Sequence, residues 1–428
     1  MIYQQYMYSY PHKTAYHSLD GIVFQDYTSR LQTGDNSLYI QIPFCESKCG
    51  YCNLFSVAGT QDKTVDAYLD AVERQSIQYG LQGISFRDLT IGGGTPLILS
   101  EAQLERVFAI ADRAVRWQGR NYPVVVETSP NQTTREKLAI LKAHHVSRVS
   151  LGVQSFRQEE LAELNRHHTP AQARKAIHLL KDAGFLCLNL DLIYGIPGQT
   201  PESLLDSARE AVSYQPEELF VYPLYTKEGT WLAGKHSERQ ISQEQMLSMY
   251  RMIRNYLTGQ GYVQHSMRRF VRGDQTGEEL SCGFGNTVSL GCGGRSYLGE
   301  LHFCTPYAVK QAHCRSILGQ YMQTADYTRI RHGYLLDAGE TKRHYVIKNL
   351  FFHRGISLSE YLEAFSSDLM DDFPVLIQWE NQGYGFLREG RYQLTETGME
   401  RSDALGPCLI SEAVAERMEA WQEPAEMR

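Results

Sequence analysis

The stretch IQIPFCESKCGYCN, residues 40–53 of this 428-residue chain, joins a strand-like apolar run to a dense group of cysteines. Cys45, Cys49 and Cys52 have the spacing C-x3-C-x2-C, and polar residues separate the first two. A structural zinc site takes four ligands, commonly in two pairs. Four-iron clusters are held by cysteine thiolates, normally four, so a loop of three leaves one iron open to a small molecule. The spacing therefore favours an open iron–sulfur cluster over zinc or over incidental thiols.

Strand-like and helix-like segments alternate around this stretch between residues 37 and 225. Apolar positions in the helix-like segments recur at three- and four-residue steps. The alternation predicts βαβ units and a parallel sheet, as an open barrel or a doubly wound sheet. Right-handed crossovers would place the carboxyl ends of the strands on one face, where ligands bind. The six predicted strands are 37–44, 88–94, 124–130, 148–156, 186–195 and 218–225.

The pattern changes near residue 226, where a long helix-like segment (242–261) precedes a Gly-rich segment (282–300). Beyond residue 335, three helix-like segments and two short strands around a Gly-rich turn are typical of a winged helix. No basic recognition helix is evident, so a lid or packing role is favoured over DNA binding. The predicted domains are an N-terminal extension (1–36), a barrel (37–230), a barrel extension (231–334) and a C-terminal winged-helix-like α+β domain (335–428).

The formal charge of −7 argues against general nucleic-acid binding, which requires a basic surface. No apolar run has the length of a membrane span, and the N-terminus lacks the apolar segment of a signal peptide. We therefore expect a cytoplasmic protein with reduced thiols. Nine cysteines then indicate metal binding or burial. A second cysteine group, formed by Cys282, Cys292, Cys304 and Cys314, is a weaker hypothesis.

A second motif, IGGGTP at residues 91–96, ends a predicted strand. Glycines allow a positive φ and let backbone amides approach a ligand closely, although a tight strand–helix turn also explains them. Polar residues at or near other strand ends are caps or solvated groups in the plainest interpretation. If they converge on one barrel mouth, they are instead candidates for ligand binding; these residues are Glu127, Gln154, Arg166 and Asp191.

Taken together, the motifs resemble a known family. The cysteine loop after a strand resembles the radical S-adenosylmethionine (SAM) superfamily. YxxIPFCxxxCxYC, GGGTP, GVQSF, LNRxH and DLIYGIPGQT together resemble the oxygen-independent coproporphyrinogen III oxidase family, from about residue 5 to 408. That family also includes haem chaperones, anaerobic haem-opening enzymes and class C radical SAM methyltransferases. The resemblance implies an α/β fold with a partial (β/α)6 TIM-like barrel.

The resemblance also implies roles for individual residues. Cys45, Cys49 and Cys52 would ligate a [4Fe–4S] cluster. SAM, with a second molecule in some members, would bind Tyr39, Gly93, Gly94, Thr95, Glu127, Gln154, Arg166, Asp191, Leu224 and Arg295. Tyr39, Gln41 and His12 are the candidate catalytic residues, with a hydrogen-bonded structural role preferred for His12. A small-molecule substrate and an electron donor such as flavodoxin or ferredoxin are the implied partners.

Departures from the family pattern leave the reaction open. Gln41 replaces the usual His before the Pro of IPFC, and Gln hydrogen-bonds without titrating. Leu54 stands where the oxidase has a further cysteine, and the HNxxYW element of the haem chaperone is missing before the Gly-rich segment. We expect hydrogen abstraction from an organic, tetrapyrrole-like substrate, as in the coproporphyrinogen III oxidase of porphyrin biosynthesis. The alternatives are methyl transfer to another substrate and non-catalytic haem binding.

Arg268, Arg269 and Arg272 are candidates for binding a substrate carboxylate or phosphate, or are ordinary surface charges.

Overall fold

The computed structural model describes residues 2–3, 6–7, 9–33, 35–119, 122–235, 240–273 and 285–424. The described strands are, in chain order, β1 (His17–Val23), β2 (Asn36–Ile42), β3 (Phe44–Cys45), β4 (Val57–Ala58), β5 (Ser85–Phe86), β6 (Asp88–Gly93), β7 (Arg116–Trp117), β8 (Val124–Thr128), β9 (Arg148–Gln154), β10 (Cys187–Tyr194), β11 (Glu218–Pro223), β12 (Tyr262–Gln264), β13 (Arg269–Arg272), β14 (Asn286–Leu290), β15 (Ser296–Leu298), β16 (Leu301–Phe303), β17 (Arg329–Leu335), β18 (Ile356–Ser357), β19 (Gly385–Arg388) and β20 (Arg391–Leu394). The described α-helices are α1 (Asp62–Tyr79), α2 (Glu101–Ala114), α3 (Arg135–Ala143), α4 (Gln158–Glu163), α5 (Pro170–Ala183), α6 (Pro201–Ser213), α7 (Gln243–Gly259), α8 (Gln311–Gln323), α9 (Ala338–Leu350), α10 (Leu358–Phe365), α11 (Leu369–Asp372), α12 (Val375–Asn381), α13 (Glu396–Met399), α14 (Ser402–Leu405) and α15 (Glu412–Glu419).

A large mixed sheet forms the centre of the molecule. Thirteen of the described strands join it in the order β1-β17-β16-β15-β14-β2-β6-β8-β9-β10-β11-β13-β12. The neighbours from β14 to β11 pair in parallel, and antiparallel strands extend both sides. Since β1 and β12 are the two edges, the described sheet is not a closed barrel. The predicted α/β class is confirmed, and all six predicted strands lie in the parallel section.

Local sequence explains how the crossover helices form. Ser100 and Gln103 make a capping box at the start of α2, and the pairs Thr169–Gln172 and Thr200–Ser203 do the same for α5 and α6. Such reciprocal bonds satisfy backbone N–H groups that the first helical turn leaves unpaired. The apolar faces of these helices are buried against the sheet. Because the strands that these helices connect are parallel, the carboxyl ends of the strands lie together at one end of the sheet.

Segments outside the predicted barrel complete the same sheet. β14, in the predicted extension 231–334, adds a seventh parallel strand beside β2, and β1, in the predicted extension 1–36, pairs antiparallel with β17. The domain boundaries therefore remain a prediction, because these segments share one sheet with the barrel. No helix of the described residues has the length and apolar character to cross a membrane.

The C-terminal part carries a small sheet of its own. Three strands pair in the order β18-β20-β19, with α9 to α12 before the β19–β20 hairpin. Tyr392 of β20, Leu376 and Trp379 of α12, and Tyr361 of α10 are buried. This helices-then-hairpin order has the winged-helix-like α+β character predicted from the sequence.

Candidate functional site

A cavity of about 530 Å³ opens at the carboxyl ends of the parallel strands. Its size is typical of ligand-binding sites. Eleven residues that the sequence assigned to a cluster or to SAM contribute to its lining: Cys45, Cys49, Cys52, Gly93, Gly94, Thr95, Glu127, Gln154, Arg166, Asp191 and Leu224. The topology brings them together, because most of them end a parallel strand or directly follow one.

The cysteine loop is held at both ends and in the middle. Its ends meet where β3 pairs in parallel with β4, so that Cys45 lies opposite Ala58. Inside the loop, the Cys52 N–H donates to the Cys49 carbonyl at 3.1 Å, and the Gly50 N–H donates to the Leu164 carbonyl at 2.8 Å. The backbone is therefore fixed by bonds that do not depend on a bound group.

The donor set fits an iron–sulfur cluster. Burial raises the pKa of the Cys45 thiol to about 12, and it also raises that of Cys52. Thiolates in such surroundings require a nearby cation, which a bound metal group supplies. Among the described residues, no three or more His, Cys, Asp or Glu side chains converge where a single metal ion could be held. A four-iron cluster does not need that convergence, because each thiolate binds a different iron.

The three glycines of the GGGTP motif each lie against a different neighbour. A Cβ on Gly92 would lie 2.6 Å from the Tyr39 hydroxyl oxygen, and one on Gly93 would lie 2.4 Å from Gln41 Nε2. Gly93 also has φ of +117°, which disfavours any other residue. A Cβ on Gly94 would lie 2.4 Å from the Phe44 carbonyl oxygen and 2.9 Å from Cys45 Sγ. Gly94 is thus required for the close approach of this turn to Cys45, and Gly92 and Gly93 are required for its approach to Tyr39 and Gln41.

Gly94→Ala is expected to displace Cys45 and to lower the iron content of the reconstituted protein, because the Phe44 carbonyl cannot move aside as a flexible side chain would. Overpacking of this kind costs about 1–3 kcal/mol. Gly83→Ala is the control, because a Cβ there would have nothing within 4 Å. Iron analysis and denaturant unfolding of the two variants check the prediction. Equal iron content in both would show that the Gly94 contact is unimportant.

Polar side chains from the ends of the parallel strands and from the segment after β9 form a polar wall of the cavity. Glu127 Oε2 accepts a hydrogen bond from the Gly93 N–H at 3.0 Å, and burial raises the pKa of Glu127. Gln154 is buried in a left-handed conformation with φ of +69°. A non-glycine residue in that region of φ/ψ is uncommon, and such strain clusters at functional sites.

Arg166 connects this wall to the cysteine loop. Its Nη1 donates to Cys49 Sγ at 3.2 Å, and its Nη2 donates to the Gly152 carbonyl. Its Nε is buried and has no hydrogen-bond partner among the described residues. A buried donor without an acceptor costs free energy, so this atom is suited to an acceptor on a bound ligand.

Asp191 adds a carboxyl group to the same cavity. Its Oδ1 accepts from Asn189 Nδ2 at 2.7 Å, and Asn189 also donates to Ser150 Oγ at 2.7 Å. Burial raises the pKa of Asp191 to about 7. The carboxyl group therefore changes charge near neutral pH, and as a carboxylate it can accept hydrogen bonds from hydroxyl groups.

Four predicted site residues do not contribute to the cavity lining: Tyr39, Gln41, His12 and Arg295. Tyr39 and Gln41 lie behind Gly92 and Gly93, and Gln41 is only 5% exposed. His12 Nδ1 lies 2.8 Å from Thr14 Oγ1, and burial lowers the pKa of His12 well below its usual value, so the ring stays neutral. Arg295 Nη1 donates to Ser9 Oγ.

Several cavity residues were missed by the sequence analysis: Tyr6, Asn131, Ser150, Tyr222, Tyr225 and Lys227. Tyr222 near the end of β11 and Tyr225 just after it occupy the same kind of position as Glu127 and Gln154, so their place near a strand end was an available signal. Tyr6 is far from these strands in the sequence, and no local pattern indicates its position.

The arginines proposed to bind substrate anions face carboxylates of the protein. Arg268 pairs with Asp403, Arg269 with Glu218 and Arg272 with Glu217. Their charges are therefore used in internal ion pairs. In the second cysteine group, Cys292 and Cys314 are buried, and Cys282 lies outside the described residues. Residues 274–284, which include most of the segment that lacks the HNxxYW element, also lie outside them.

The fold and the three-cysteine loop define a radical SAM protein, and comparison with known proteins agrees. The model of the Radical SAM superfamily matches residues 39–211. The heme chaperone HemW of Bacillus subtilis is 31% identical over 270 residues, which cover 61% of this chain and 71% of the relative. The oxygen-independent coproporphyrinogen III oxidase of Escherichia coli is 29% identical over 283 residues, which cover 63% of this chain and 62% of that enzyme.

A solved structure supports the same fold. Coproporphyrinogen III oxidase (HemN) from Escherichia coli superimposes with a TM-score of 0.82 at 22% identity, covering 94% of this chain and 96% of that one. The chain belongs to the radical SAM superfamily, in the family that contains the heme chaperone HemW and the oxygen-independent coproporphyrinogen III oxidases. That family implies a [4Fe–4S] cluster and SAM.

Proposed function

We propose that the protein is a radical SAM enzyme that abstracts hydrogen from an organic substrate, with its [4Fe–4S] cluster on Cys45, Cys49 and Cys52. The observation that carries the proposal is the convergence of these thiols and the polar wall on one cavity, with the buried Arg166 Nε lacking a partner among the described residues. A simple electron-transfer protein would need four thiolate ligands and no polar wall.

When bound, the cluster and SAM supply a one-electron reductive cleavage that generates a 5′-deoxyadenosyl radical. The protein's own residues hold and orient the groups involved. Arg166 offers to a carboxylate its Nε, which has no partner in the described part of the chain, and Glu127 and Asp191 offer carboxyl oxygens to ammonium or hydroxyl donors. Gly93, Gly94 and Thr95 present the backbone of the turn beside Cys45. These residues are candidates for the SAM-binding set, with one SAM as the minimum.

Tyrosines line part of the cavity, and the proposal assigns this part to the substrate. Tyr6, Tyr222 and Tyr225 combine apolar ring faces with hydroxyl groups, which suits a large, partly apolar substrate such as a tetrapyrrole. The reaction would be oxidative decarboxylation of a propionate side chain, as in the oxidase, or methyl transfer. The proposal places the protein in the cytoplasm, where thiols stay reduced and an electron donor such as flavodoxin or ferredoxin acts.

SAM binding is expected to depend on pH through Asp191. Since its pKa is about 7, the carboxylate that accepts hydroxyl donors forms as the pH rises through 7. Below that value, affinity should fall by about tenfold per pH unit. Asp191→Asn should bind SAM weakly with little change between pH 6 and 8. Calorimetric titration of the reconstituted protein measures this, and a wild-type affinity independent of pH would contradict it.

The same carboxyl group affects stability with the opposite sign. Its pKa in the folded chain, about 7, lies above the ordinary value of 3.8. Its contribution to stability is therefore fully present below pH 3.8 and is lost as the pH rises through 7. Asp191→Asn should accordingly be at least as stable as the wild type at pH 8, which separates loss of binding from loss of folding.

Product analysis distinguishes the candidate reactions. Reduced protein is incubated anaerobically with SAM and coproporphyrinogen III, and carbon dioxide, vinyl product, 5′-deoxyadenosine and S-adenosylhomocysteine are measured. Decarboxylation identifies an oxidase. S-adenosylhomocysteine, formed with 5′-deoxyadenosine and without decarboxylation, identifies a methyltransferase.

Heme binding without turnover is the second candidate function. The similarity to heme chaperone HemW, which extends over 71% of that relative, favours it. Spectroscopic titration with heme tests it: stoichiometric binding, with no SAM cleavage under any reductant, would replace the enzyme proposal. The missing HNxxYW element argues for the enzyme.

A further inference from the structure

Lys48 lies inside the cysteine loop, and its side chain makes hydrogen bonds with the backbone outside the loop. Its Nζ donates to the Leu54 carbonyl at 3.2 Å and to the Val309 carbonyl at 2.7 Å. These two backbone acceptors therefore hold the ammonium group in one place, just beyond the end of the cysteine loop. Lysine side chains have about 2 kcal/mol of rotamer entropy, so such a fixed position requires a specific set of acceptors.

The charge of Lys48 is not neutralised by a carboxylate in the described part of the chain. Both of its described hydrogen bonds go to carbonyl groups. Glu46, in the same loop, instead accepts hydrogen bonds from the amides of Asn131 and Gln132. Lys48 and the three loop cysteines line the same cavity, so the ammonium charge lies in the immediate surroundings of the thiols.

We propose that Lys48 is a positioning residue whose fixed positive charge raises the reduction potential of the cluster on Cys45, Cys49 and Cys52. The inference rests on the proposed function, which places a cluster there. One electron from an external donor makes the cluster more negative, and no bond forms or breaks in that step. A fixed cation stabilises the more negative, reduced form, since net charge and hydrogen bonds to sulfur set such potentials. The Arg166 guanidinium on Cys49 Sγ acts in the same direction.

A purely structural role would be to tie the cysteine loop to Val309. Three variants separate the two roles: Lys48→Arg keeps the charge, Lys48→Gln keeps a donor without charge, and Lys48→Met keeps only the apolar stem. Lys63→Gln is the matched control, because Lys63 is exposed in the first turn of α1. Lys48 is preferable to Arg166 for this purpose, because Arg166 also belongs to the proposed SAM-binding set.

The experiment is an anaerobic redox titration of the reconstituted proteins without SAM, followed by electron paramagnetic resonance and accompanied by iron and sulfide analysis. At a given potential, Lys48→Gln and Lys48→Met should shift the ratio of reduced to oxidised cluster by about tenfold toward the oxidised form. For one electron this corresponds to a potential about 59 mV lower. Lys48→Arg and Lys63→Gln should stay within about twofold of the wild type.

The outcomes separate this inference from the proposed function. If Lys48→Gln and Lys48→Met bind a full cluster but have the reduction potential of the wild type, the role of Lys48 is overturned and the proposed function is not. If Lys48→Arg and Lys48→Gln both lose iron, Lys48 has the structural role of connecting the loop to Val309, and the proposed electrostatic role is overturned as well. Failure of the wild type itself to bind iron and sulfide would overturn the cluster assignment, and the inference with it.

Discussion

Cys49→Ala is expected to lose essentially all of the cluster, and SAM cleavage with it. Among the described residues, Cys45, Cys49 and Cys52 are the cysteines that line this cavity. Losing one leaves a second iron of the cluster without a protein ligand. The substitution also removes the acceptor of the Arg166 Nη1 hydrogen bond inside the cavity wall. Iron and sulfide analysis after anaerobic reconstitution, with the charge-transfer absorption of the cluster, measures the effect.

Cys408→Ala is the matched control for this experiment. Cys408 is exposed, and its thiol donates to the Ala404 carbonyl in the part of the chain that the structure describes. The Cys408→Ala variant should bind as much iron and sulfide as the wild type. If Cys49→Ala retained as much iron as Cys408→Ala, the loop would not be the cluster site.

Asp403→Ala is expected to destabilise the protein by about 3–5 kcal/mol, because it leaves a buried guanidinium unpaired. The side chains of Arg268 and Asp403 are 4% and 1% exposed, and Arg268 Nη2 lies 2.6 Å from both carboxylate oxygens. The Tyr225 hydroxyl donates to the same carboxylate, and the Tyr6 ring centroid lies 3.8 Å from the guanidinium carbon. Denaturant unfolding at neutral pH measures the loss.

An exposed ion pair provides the comparison for Asp403. Arg30 and Glu300 are 2.8 Å apart, but their side chains are 53% and 33% exposed. Glu300→Ala should therefore cost about 1 kcal/mol or less. A loss below about 1 kcal/mol for Asp403→Ala would contradict the interpretation of the Arg268 pair as a buried connection between the C-terminal part and the cavity wall. Because Tyr225 belongs to that wall, a folded Asp403 variant should also bind substrate less well.

The six central parallel strands, and the convergence of eleven candidate site residues on one cavity, could be predicted from the sequence. Periodicity located the parallel strands, and parallel strands end on one edge. A polar residue near a strand end, such as Glu127 or Asp191, therefore had a predictable location even without a known partner. The cysteine spacing was enough to predict an open iron–sulfur cluster, because three thiolates in a short loop would leave one iron of a four-iron cluster without a protein ligand.

The remaining features depend on contacts between distant parts of the chain. Arg268 and Asp403 are 135 residues apart, and no local pattern indicates that they meet. β14 pairs with β2 across about 250 residues and adds a seventh parallel strand to the six predicted. The location of Gln41 behind Gly93, outside the cavity lining, also required the packed structure, because a strand residue next to a motif can face either side of the sheet.

The central claim is that this cavity binds a cluster and SAM and makes a radical. Anaerobic incubation of reconstituted, dithionite-reduced protein with SAM, followed by chromatographic measurement of 5′-deoxyadenosine, tests it most directly. The wild type should form 5′-deoxyadenosine, and Cys49→Ala should form none above the protein-free background. A fully loaded, reduced wild type that binds SAM but forms no more 5′-deoxyadenosine than Cys49→Ala would contradict the claim.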